Sequence, residues 1–332
     1  MVLEVNYFER KYNYKMNRRV IIFSEAGQNI GFGHLTRCSA LYDEIHKRGI
    51  EVILVVFGKE IENLLGKRKN ILVDWKNLEF LRSFLNKTDY VIIDSYLATL
   101  EVYNFCSKNT AKCLYIDDIN RINYPHGIIL NPSLSENIKY NTKNKILQGK
   151  DYIILRKEFT EEKIPHFEKE IDVLITLGGT DIRNLIPRLL DILKSINDKL
   201  KVVVVIGKMS ENIKKLETDY IEIFSNIEAL EMRNLILKSK FVICGCGQSI
   251  YEMLALKAIF LPILIIDNQV SNKEGLLKYQ KNIKVIDWND IELEKYILKF
   301  LLDINFEQVN LDSIKYGTKN IINNFIGEIW KI

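Results

Sequence analysis

The feature that most constrains the fold of this chain is a regular alternation of short apolar runs, rich in β-branched residues, with amphipathic stretches. The runs begin at Val20, Glu51, Tyr90, Cys113, Ile171, Lys201, Ile221, Phe241 and Phe260. Strands that are apolar on both faces and alternate with helices form parallel sheets covered by helices on each side. The pattern therefore predicts an α/β protein. Two of its helices are expected from His34 to Arg48, ended by Gly49, and from Ser249 to Ala258.

The alternation is interrupted once, between Arg156 and Glu170, by a charged segment that contains Pro165. We interpret this segment as an interdomain linker. The expected architecture is two Rossmann-like domains, residues 18–160 and 161–332, whose parallel sheets face a central cleft; one large doubly wound sheet is the alternative. The tail from about Asn310 to Ile332 is expected to be helical, and the sequence leaves open whether it packs back on the first domain. Residues 1–17 are expected to form an extension before the first strand.

Charge and composition exclude several classes of partner. The 47 basic and 43 acidic side chains leave a net charge of +4, which is too weak to indicate binding to nucleic acid or to an anionic membrane. No apolar run approaches the roughly 18 residues of a membrane span, so no stable membrane insertion is expected. The five scattered cysteines favour a reducing compartment. The sequence thus predicts a cytoplasmic globular protein, with no obligate protein partner evident.

The loop after the first predicted strand carries the richest chemistry. Gly31 and Gly33 let the backbone approach a ligand closely, and His34 follows at the start of a predicted helix. Backbone N–H groups at such a position favour a negative ligand group, and an imidazole there suits a general base. The alternative is that His34 is a solvated or capping residue.

The same loop partly matches a dinucleotide-binding fingerprint, which raises the possibility of an NAD enzyme. Thr36 stands where the third glycine of that fingerprint is required, and the second strand is not followed by a carboxylate for a ribose hydroxyl. The match is therefore weak, and no cofactor is predicted.

Two further loops of the first half carry polar side chains. Asp94, Ser95 and Tyr96 follow a predicted strand, where a hydroxyl is placed to orient a substrate or water. Asp94 has a helix cap or a loop brace as its alternative role. Asp117 and Asp118 follow the next strand, and paired carboxylates there suit acid–base work, metal binding or simply a turn.

In the second half, three loops have the composition of a nucleotide site. Small residues between a strand and a helix suit a phosphate group, with an N-cap as the alternative for Thr180 or Asp181. Glu252, one turn inside the next helix, can match a ribose diol with its two oxygens, or can simply favour the helix dipole. The amides near Asp267 suit a base edge, a sugar acetamido group or a turn. The candidate residues of these loops are Gly178, Gly179, Thr180, Gly247, Gln248, Ser249, Glu252, Asn268 and Gln269.

The ordered set of motifs resembles a known family. The set is GxGHxxRC (Gly31, Gly33, His34, Arg37, Cys38), then DSY, YIDD, LRKEF, GGTDIRNL, YEMLALK and IDNQ. From about residue 19 to 290 it is similar to the PseG/SpsG family, nucleotide-sugar hydrolases that have the GT-B fold and are related to MurG-like glycosyltransferases.

The resemblance implies a UDP-2,4-diacetamido-2,4,6-trideoxy-β-L-altropyranose hydrolase of pseudaminic acid biosynthesis, which needs neither metal nor cofactor. It implies that His34 activates the water that displaces UDP, that Tyr96 supports it, and that Glu252 and Asn268 hold the UDP. Arg37 and Asp94 join the glycines and amides above as expected substrate-binding residues. The chain departs from the family at Ser95, where a known member has histidine, and in the loop CGCGQS, where that member has serines.

Two other functions remain open at this stage. A glycosyltransferase of the same fold would pass the sugar of a UDP-sugar donor to an acceptor other than water. A non-catalytic protein would bind the nucleotide sugar without turnover.

Overall fold

The computed structural model of the 332-residue chain forms two separate parallel sheets, so the alternative of one large sheet is wrong. The residues that the structure describes are 18–27, 30–59, 61–179, 181–207, 211–280, 282–302 and 311–327. The expected extension, residues 1–17, lies outside them.

The first domain is built on a sheet with the strand order β3-β2-β1-β4-β5-β6-β7, and neighbouring strands are parallel throughout. Its strands are β1 (Val20–Ala26), β2 (Val52–Gly58), β3 (Asn70–Leu72), β4 (Tyr90–Asp94), β5 (Lys112–Ile116), β6 (Ile128–Asn131) and β7 (Lys145–Gln148). Its helices are α1 (Gly33–Lys47), α2 (Glu62–Leu65), α3 (Leu78–Phe84) and α4 (Leu100–Asn109).

The second domain repeats this design with the order β10-β9-β8-β11-β12-β13, again parallel. Its strands are β8 (Ile171–Thr176), β9 (Val202–Ile206), β10 (Ile221–Ser225), β11 (Ser239–Gly245), β12 (Phe260–Leu264) and β13 (Ile286–Asp287). The helices that follow β8 are α5 (Leu185–Ile196), α6 (Glu211–Lys214), α7 (Ala229–Lys238), α8 (Ser249–Ala255), α9 (Val270–Tyr279), α10 (Leu293–Leu302) and α11 (Gly317–Ile326).

Both sheets are buried on both faces, as the apolar runs predict. In β1, Val20 and Ile22 pack into the core under α1, whereas Ile21 and Phe23 pack into the core on the opposite face. Alternate residues of a strand point to opposite faces, so a strand that is apolar at every position requires a layer of helices on each side. The described helices include none that is long and apolar enough to cross a bilayer.

The structure adds four strands that the apolar runs do not mark: β3, β6, β7 and β13. Three of them, β3, β7 and β13, lie at sheet edges and are short or partly polar, so they carry little periodicity. Helix α1 ends before Gly49, which takes a φ of 73°, as expected. Helix α8 ends at Ala255, three residues earlier than predicted, and Lys257 beyond it takes a positive φ of 56°.

Helix α11, at the end of the described chain, packs on the first domain although it follows the second in sequence. Ile321, Ile322, Phe325 and Ile326 are buried in the core that lies under α1. At the start of the helix, Gly317 lies so close to the Ile153 backbone that an added methyl group would be 2.1 Å from its carbonyl oxygen. The returning helix therefore fastens the two domains together by burial.

Replacing Phe325 with Ala tests this packing. The Phe325 ring is fully buried and makes an edge contact with Tyr90, the ring centroids lying 5.7 Å apart. We expect the free energy of unfolding to fall by about 3–5 kcal/mol. The matched control on the same helix is Lys319→Ala, an exposed position where about 0.5 kcal/mol or less is expected. Equal urea midpoints for the two variants would contradict the packing of α11.

Candidate active site

A cleft of about 490 Å³ lies between the two domains. In each sheet the order in which successive strands are added reverses once, between β1 and β4 in the first domain and between β8 and β11 in the second. Ligands of open parallel sheets bind beyond the carboxyl ends of the strands at such a switch point. The loops that follow these strands, together with the loop after β12, supply most of the cleft wall, so two switch points face each other across it.

His34, in the first turn of α1, is held by a buried carboxylate. Its Nδ1 lies 2.6 Å from Oδ1 of Asp94, which ends β4 and has no exposed surface. An ionised carboxylate only accepts hydrogen bonds, so Nδ1 carries the proton and Nε2 is left as the acceptor of the neutral ring. Nδ1 also lies 3.2 Å from Nη2 of Arg37, but two donors cannot bond each other, so the shorter contact to the carboxylate fixes the tautomer.

Arg37 and Asp118 extend this network to Tyr96. Arg37 donates to both oxygens of Asp94, from Nε at 2.6 Å and from Nη2 at 2.7 Å, and its Nη1 lies 2.8 Å from Oδ2 of Asp118. The hydroxyl of Tyr96 donates to that same Asp118 oxygen over 2.8 Å. The Tyr96 ring meets the His34 ring edge-on, with the centroids 4.6 Å apart. His34 and Tyr96 are therefore fixed relative to each other by one charged network.

The charges in this network shift the ionisation of its members. Burial opposes the ionised form of Asp94, but the positive charge of Arg37, the neighbouring His34 and their hydrogen bonds outweigh it and hold the pKa of Asp94 well below its ordinary value. Burial and the nearby Asp118 carboxylate raise the pKa of Tyr96 well above its ordinary value, despite the opposing charge of Arg37. At neutral pH Asp94 is thus a carboxylate and Tyr96 a protonated phenol.

The loop that carries Tyr96 is anchored from below by Glu25, a fully buried residue of β1. The hydroxyl of Ser95 donates to Oε2 of Glu25, and the backbone N–H of Tyr96 donates to Oε1 over 2.6 Å. Ser95, the position at which the chain departs from the family motif, is itself 2% exposed. Ser95 therefore supports the loop from behind, and Tyr96 is the residue of this pair that lines the cleft.

On the second-domain side, Gly178 and Gly179 line the cleft after β8. Gly178 takes a φ of 109°, and an added methyl on Gly179 would lie 2.8 Å from the ring of Phe32, which reaches over from the His34 loop. Asp181 accepts hydrogen bonds from the first two amides of α5, so its capping alternative is the one observed. Thr180 lies outside the described residues.

Glu252, inside α8, is paired with Arg156 from the segment that joins the domains. Nε of Arg156 lies 2.8 Å from Oε1 of Glu252, and Nη2 lies 2.9 Å from Oε2. Gln248 donates from Nε2 to the Ile154 carbonyl over 2.7 Å, which ties the loop before α8 to the same segment. Gln269 accepts a hydrogen bond from the backbone N–H of Ile265.

The structure brings nearly all the candidate residues to one cleft. Those that line it are Gly31, Gly33, His34, Arg37, Tyr96, Gly178, Gly179, Gly247, Gln248, Ser249, Glu252, Asn268 and Gln269. Asp94 is the exception among the described ones, because it lies behind His34 and Arg37. Two charged residues of the cleft wall receive no definite role from the sequence: Asp118, where a turn is an equal alternative, and Arg156, which falls in the expected linker.

The pH dependence of the free energy of unfolding tests whether the buried Asp94 side chain is ionised. Its lowered pKa means that it stabilises the fold fully above about pH 4, the ordinary pKa, and that this stabilisation is lost as pH falls below that value. At pH 7 we expect Asp94→Asn to lower the free energy of unfolding by about 3 kcal/mol, because Arg37 loses its closest partner. In urea unfolding series, the gap to the wild type is expected to narrow below about pH 4.

The control for this series is Asp43→Asn, which breaks the half-exposed pair with Arg68 and is expected to cost about 1 kcal/mol or less. A gap for Asp94→Asn that stays constant down to pH 2.5 would contradict the assignment of Asp94 as the ionised partner.

Comparison with known proteins yields three curated relatives. The UDP-2,4-diacetamido-2,4,6-trideoxy-β-L-altropyranose hydrolase of Campylobacter jejuni is 26% identical over 78% of this chain and 96% of its own length. A Helicobacter pylori protein named as a pseudaminic acid cytidylyltransferase and the same hydrolase is 25% identical over 80% of this chain, which covers 49% of that protein. An uncharacterised Methanocaldococcus jannaschii protein is 24% identical over 95% of this chain and 69% of its own length. No family model matches the chain.

Solved structures give the fold. S. aureus MnaA in complex with UDP superimposes with a TM-score of 0.63 at 13% identity, covering 93% of this chain and 96% of that one. MurG of Acinetobacter baumannii gives 0.61 at 12% identity, covering 93% and 99%. The chain therefore has the GT-B fold, and its sequence resemblance to the PseG hydrolases, which extends over about four fifths of its length, is confirmed.

Proposed function

We propose that this chain hydrolyses a UDP-sugar to UDP and the free sugar, and that its substrate is UDP-2,4-diacetamido-2,4,6-trideoxy-β-L-altropyranose, an intermediate of pseudaminic acid biosynthesis in the cytoplasm. The observation that carries the proposal is the imidazole of His34, held at the cleft wall by the buried carboxylate of Asp94. The names of the C. jejuni and H. pylori relatives support this choice of substrate.

The reaction proposed is the attack of water on the anomeric carbon. Nε2 of His34 accepts a proton from the water, whose oxygen forms the new bond to that carbon while the bond to the UDP oxygen breaks. Asp94 keeps the proton on Nδ1 and stabilises the imidazolium that forms. Its role is therefore positioning, because it has no surface on the cleft.

Tyr96 completes the first-domain side of the site. Its protonated hydroxyl is directed to Asp118 and its ring edge abuts His34. We propose that Tyr96 fixes the imidazole plane and limits the space available to water and sugar beside it. Arg37 links Tyr96, through Asp118, to the carboxylate that holds His34.

The second-domain residues are proposed to hold UDP. Glu252 takes the ribose hydroxyls, and Asn268 with Gln269 takes polar groups of the base or sugar. The small residues of the β8 and β11 loops, Gly178, Gly179, Gly247 and Ser249, let the backbone approach the diphosphate, with Thr180 as their neighbour in sequence. We also propose that turnover needs no metal. The domain bounds proposed are residues 18–160 for the first domain and 161–332 for the second.

Release of UDP without any acceptor tests the function. We expect His34→Ala to lower kcat by about 100- to 10,000-fold, since general-base assistance is lost. His46→Ala is the matched control, because His46 is an exposed histidine on the same helix, and it is expected to keep full activity. If the wild type released UDP only when an alcohol or lipid acceptor was added, the hydrolase proposal would fail in favour of a glycosyltransferase.

The ribose role of Glu252 makes a separate prediction. Glu252→Gln is expected to weaken UDP binding about 10-fold and to bring the affinities for UDP and 2′-deoxy-UDP close together, because the charged acceptor of the 2′-hydroxyl is lost. Titration calorimetry with both nucleotides measures this. Glu231→Gln, at an exposed position on α7, is the control. Unchanged discrimination in the Glu252 variant would place the ribose elsewhere.

A further inference from the structure

We propose that the ion pair between Arg156 and Glu252 is a ligand-opened switch: a bound nucleoside diphosphate breaks it, so that Glu252 takes the ribose hydroxyls and Arg156 takes the diphosphate charge. This inference rests on the proposed function, because it places a UDP group in the cleft. It adds a second ligand-binding residue, Arg156, which comes from the segment between the domains and has no sequence-based role.

The geometry of the pair makes the guanidinium and a ribose diol competitors. Nε and Nη2 of Arg156 engage both oxygens of the Glu252 carboxylate, at 2.8 and 2.9 Å. A bidentate contact of this kind occupies one lone pair of each oxygen, on the side that faces the guanidinium. Glu252 is only 7% exposed, so two neighbouring ribose hydroxyls have little other access to its oxygens and compete with the guanidinium for them.

The charge balance of the cleft makes Arg156 the cation available to a diphosphate. Among the described residues of the cleft wall, Arg37 and Arg156 are those with a permanent positive charge. Arg37 is already bonded to two carboxylates, Asp94 and Asp118. Among the described residues, the Arg156 guanidinium donates hydrogen bonds to Glu252 alone, and that carboxylate is the one that the ribose takes. Opening the pair therefore leaves the positive charge of Arg156 without its carboxylate partner and available to the diphosphate.

The surroundings of Arg156 keep its guanidinium near the cleft once the pair has opened. The group lies over the ring of Phe159, 4.9 Å from its centroid, and Phe159 is buried in the second-domain core. A cation–π contact holds a guanidinium without occupying its hydrogen-bond donors. The bond from Gln248 to the Ile154 carbonyl ties the adjoining backbone to the second domain. A side-chain rotation is then sufficient for the exchange, without domain movement.

Comparing uridine with UDP separates the two halves of the switch. Uridine has the ribose but no phosphate, so in Arg156→Ala it gains an uncontested carboxylate, and its affinity is expected to rise about two- to fivefold. UDP loses a charged phosphate contact, so its affinity is expected to fall about 10- to 100-fold. Both dissociation constants are measured by titration calorimetry on the full chain.

Arg68→Ala is the matched control for this experiment. Arg68 also engages a carboxylate through Nε and Nη2, at 2.8 and 2.7 Å from the two oxygens of Asp43, and its side chain is 24% exposed against 25% for Arg156. It does not line the cleft, so neither affinity is expected to change. Arg156→Lys serves if the alanine variant does not fold. Lysine keeps the charge without the planar fork, so uridine binding is expected to rise while UDP binding falls less than 10-fold.

The outcomes separate this inference from the proposed function. Opposite shifts for uridine and UDP in the Arg156 variants support the switch. A fall for both ligands would overturn it, because Arg156 would then only position Glu252. Unchanged binding of both ligands would overturn it as well and leave the proposed hydrolase intact. A wild-type chain that binds neither UDP nor uridine would overturn the inference and the proposed function together.

Discussion

The buried carboxylate of Asp94 is the interaction on which the candidate site depends. It ends β4 at the point where the order of the first sheet reverses, and it accepts hydrogen bonds from His34 and Arg37 on the neighbouring helix α1. The thiol of Cys38 lies 3.6 Å from the same carboxylate. A charge with no exposed surface is stable only when its lone pairs are satisfied by charged or strongly polar donors. One residue therefore fixes the tautomer of the imidazole, the orientation of the guanidinium and the contact between β4 and α1.

This dependence explains the spacing of the first motif. Arg37 and Cys38 follow His34 by three and four positions, a spacing that on a helix places both of them on the same face as His34. That face is turned toward Asp94, and the glycine at position 33 opens the helix without a side chain. The motif therefore describes one helix face fitted to one carboxylate. Asp94, although absent from the cleft wall, therefore contacts all three of these residues of the motif.

The sequence allows most strands of both cores, the loops that meet at the cleft and thirteen residues of its wall to be predicted, because these follow from local periodicity and from the rule for parallel sheets. Side-chain pairing between distant segments leaves no such trace. Arg156 reads as part of a charged linker, and its pairing with Glu252, 96 positions further along the chain, depends on how the domains meet. Asp118 has the composition of a turn, and its bond to Tyr96 becomes visible only when β4 and β5 are placed side by side. Three of the four strands that the apolar runs do not mark, β3, β7 and β13, are edge strands, which carry little apolar pattern.

The distribution of charge across the cleft bears on the chemistry. On the first-domain side, two carboxylates surround one guanidinium, so Asp94, Asp118 and Arg37 leave one net negative charge near His34 when the imidazole is neutral. On the second-domain side, the charges of Arg156 and Glu252 balance each other in their ion pair, and the proposed ribose contact would leave the guanidinium unpaired. A sugar that loses UDP develops positive charge at its anomeric carbon and negative charge on the departing diphosphate. In the proposed reaction, the net negative charge beside His34 and the guanidinium of Arg156 match that separation of charge, which requires the two domains to bind opposite ends of one substrate.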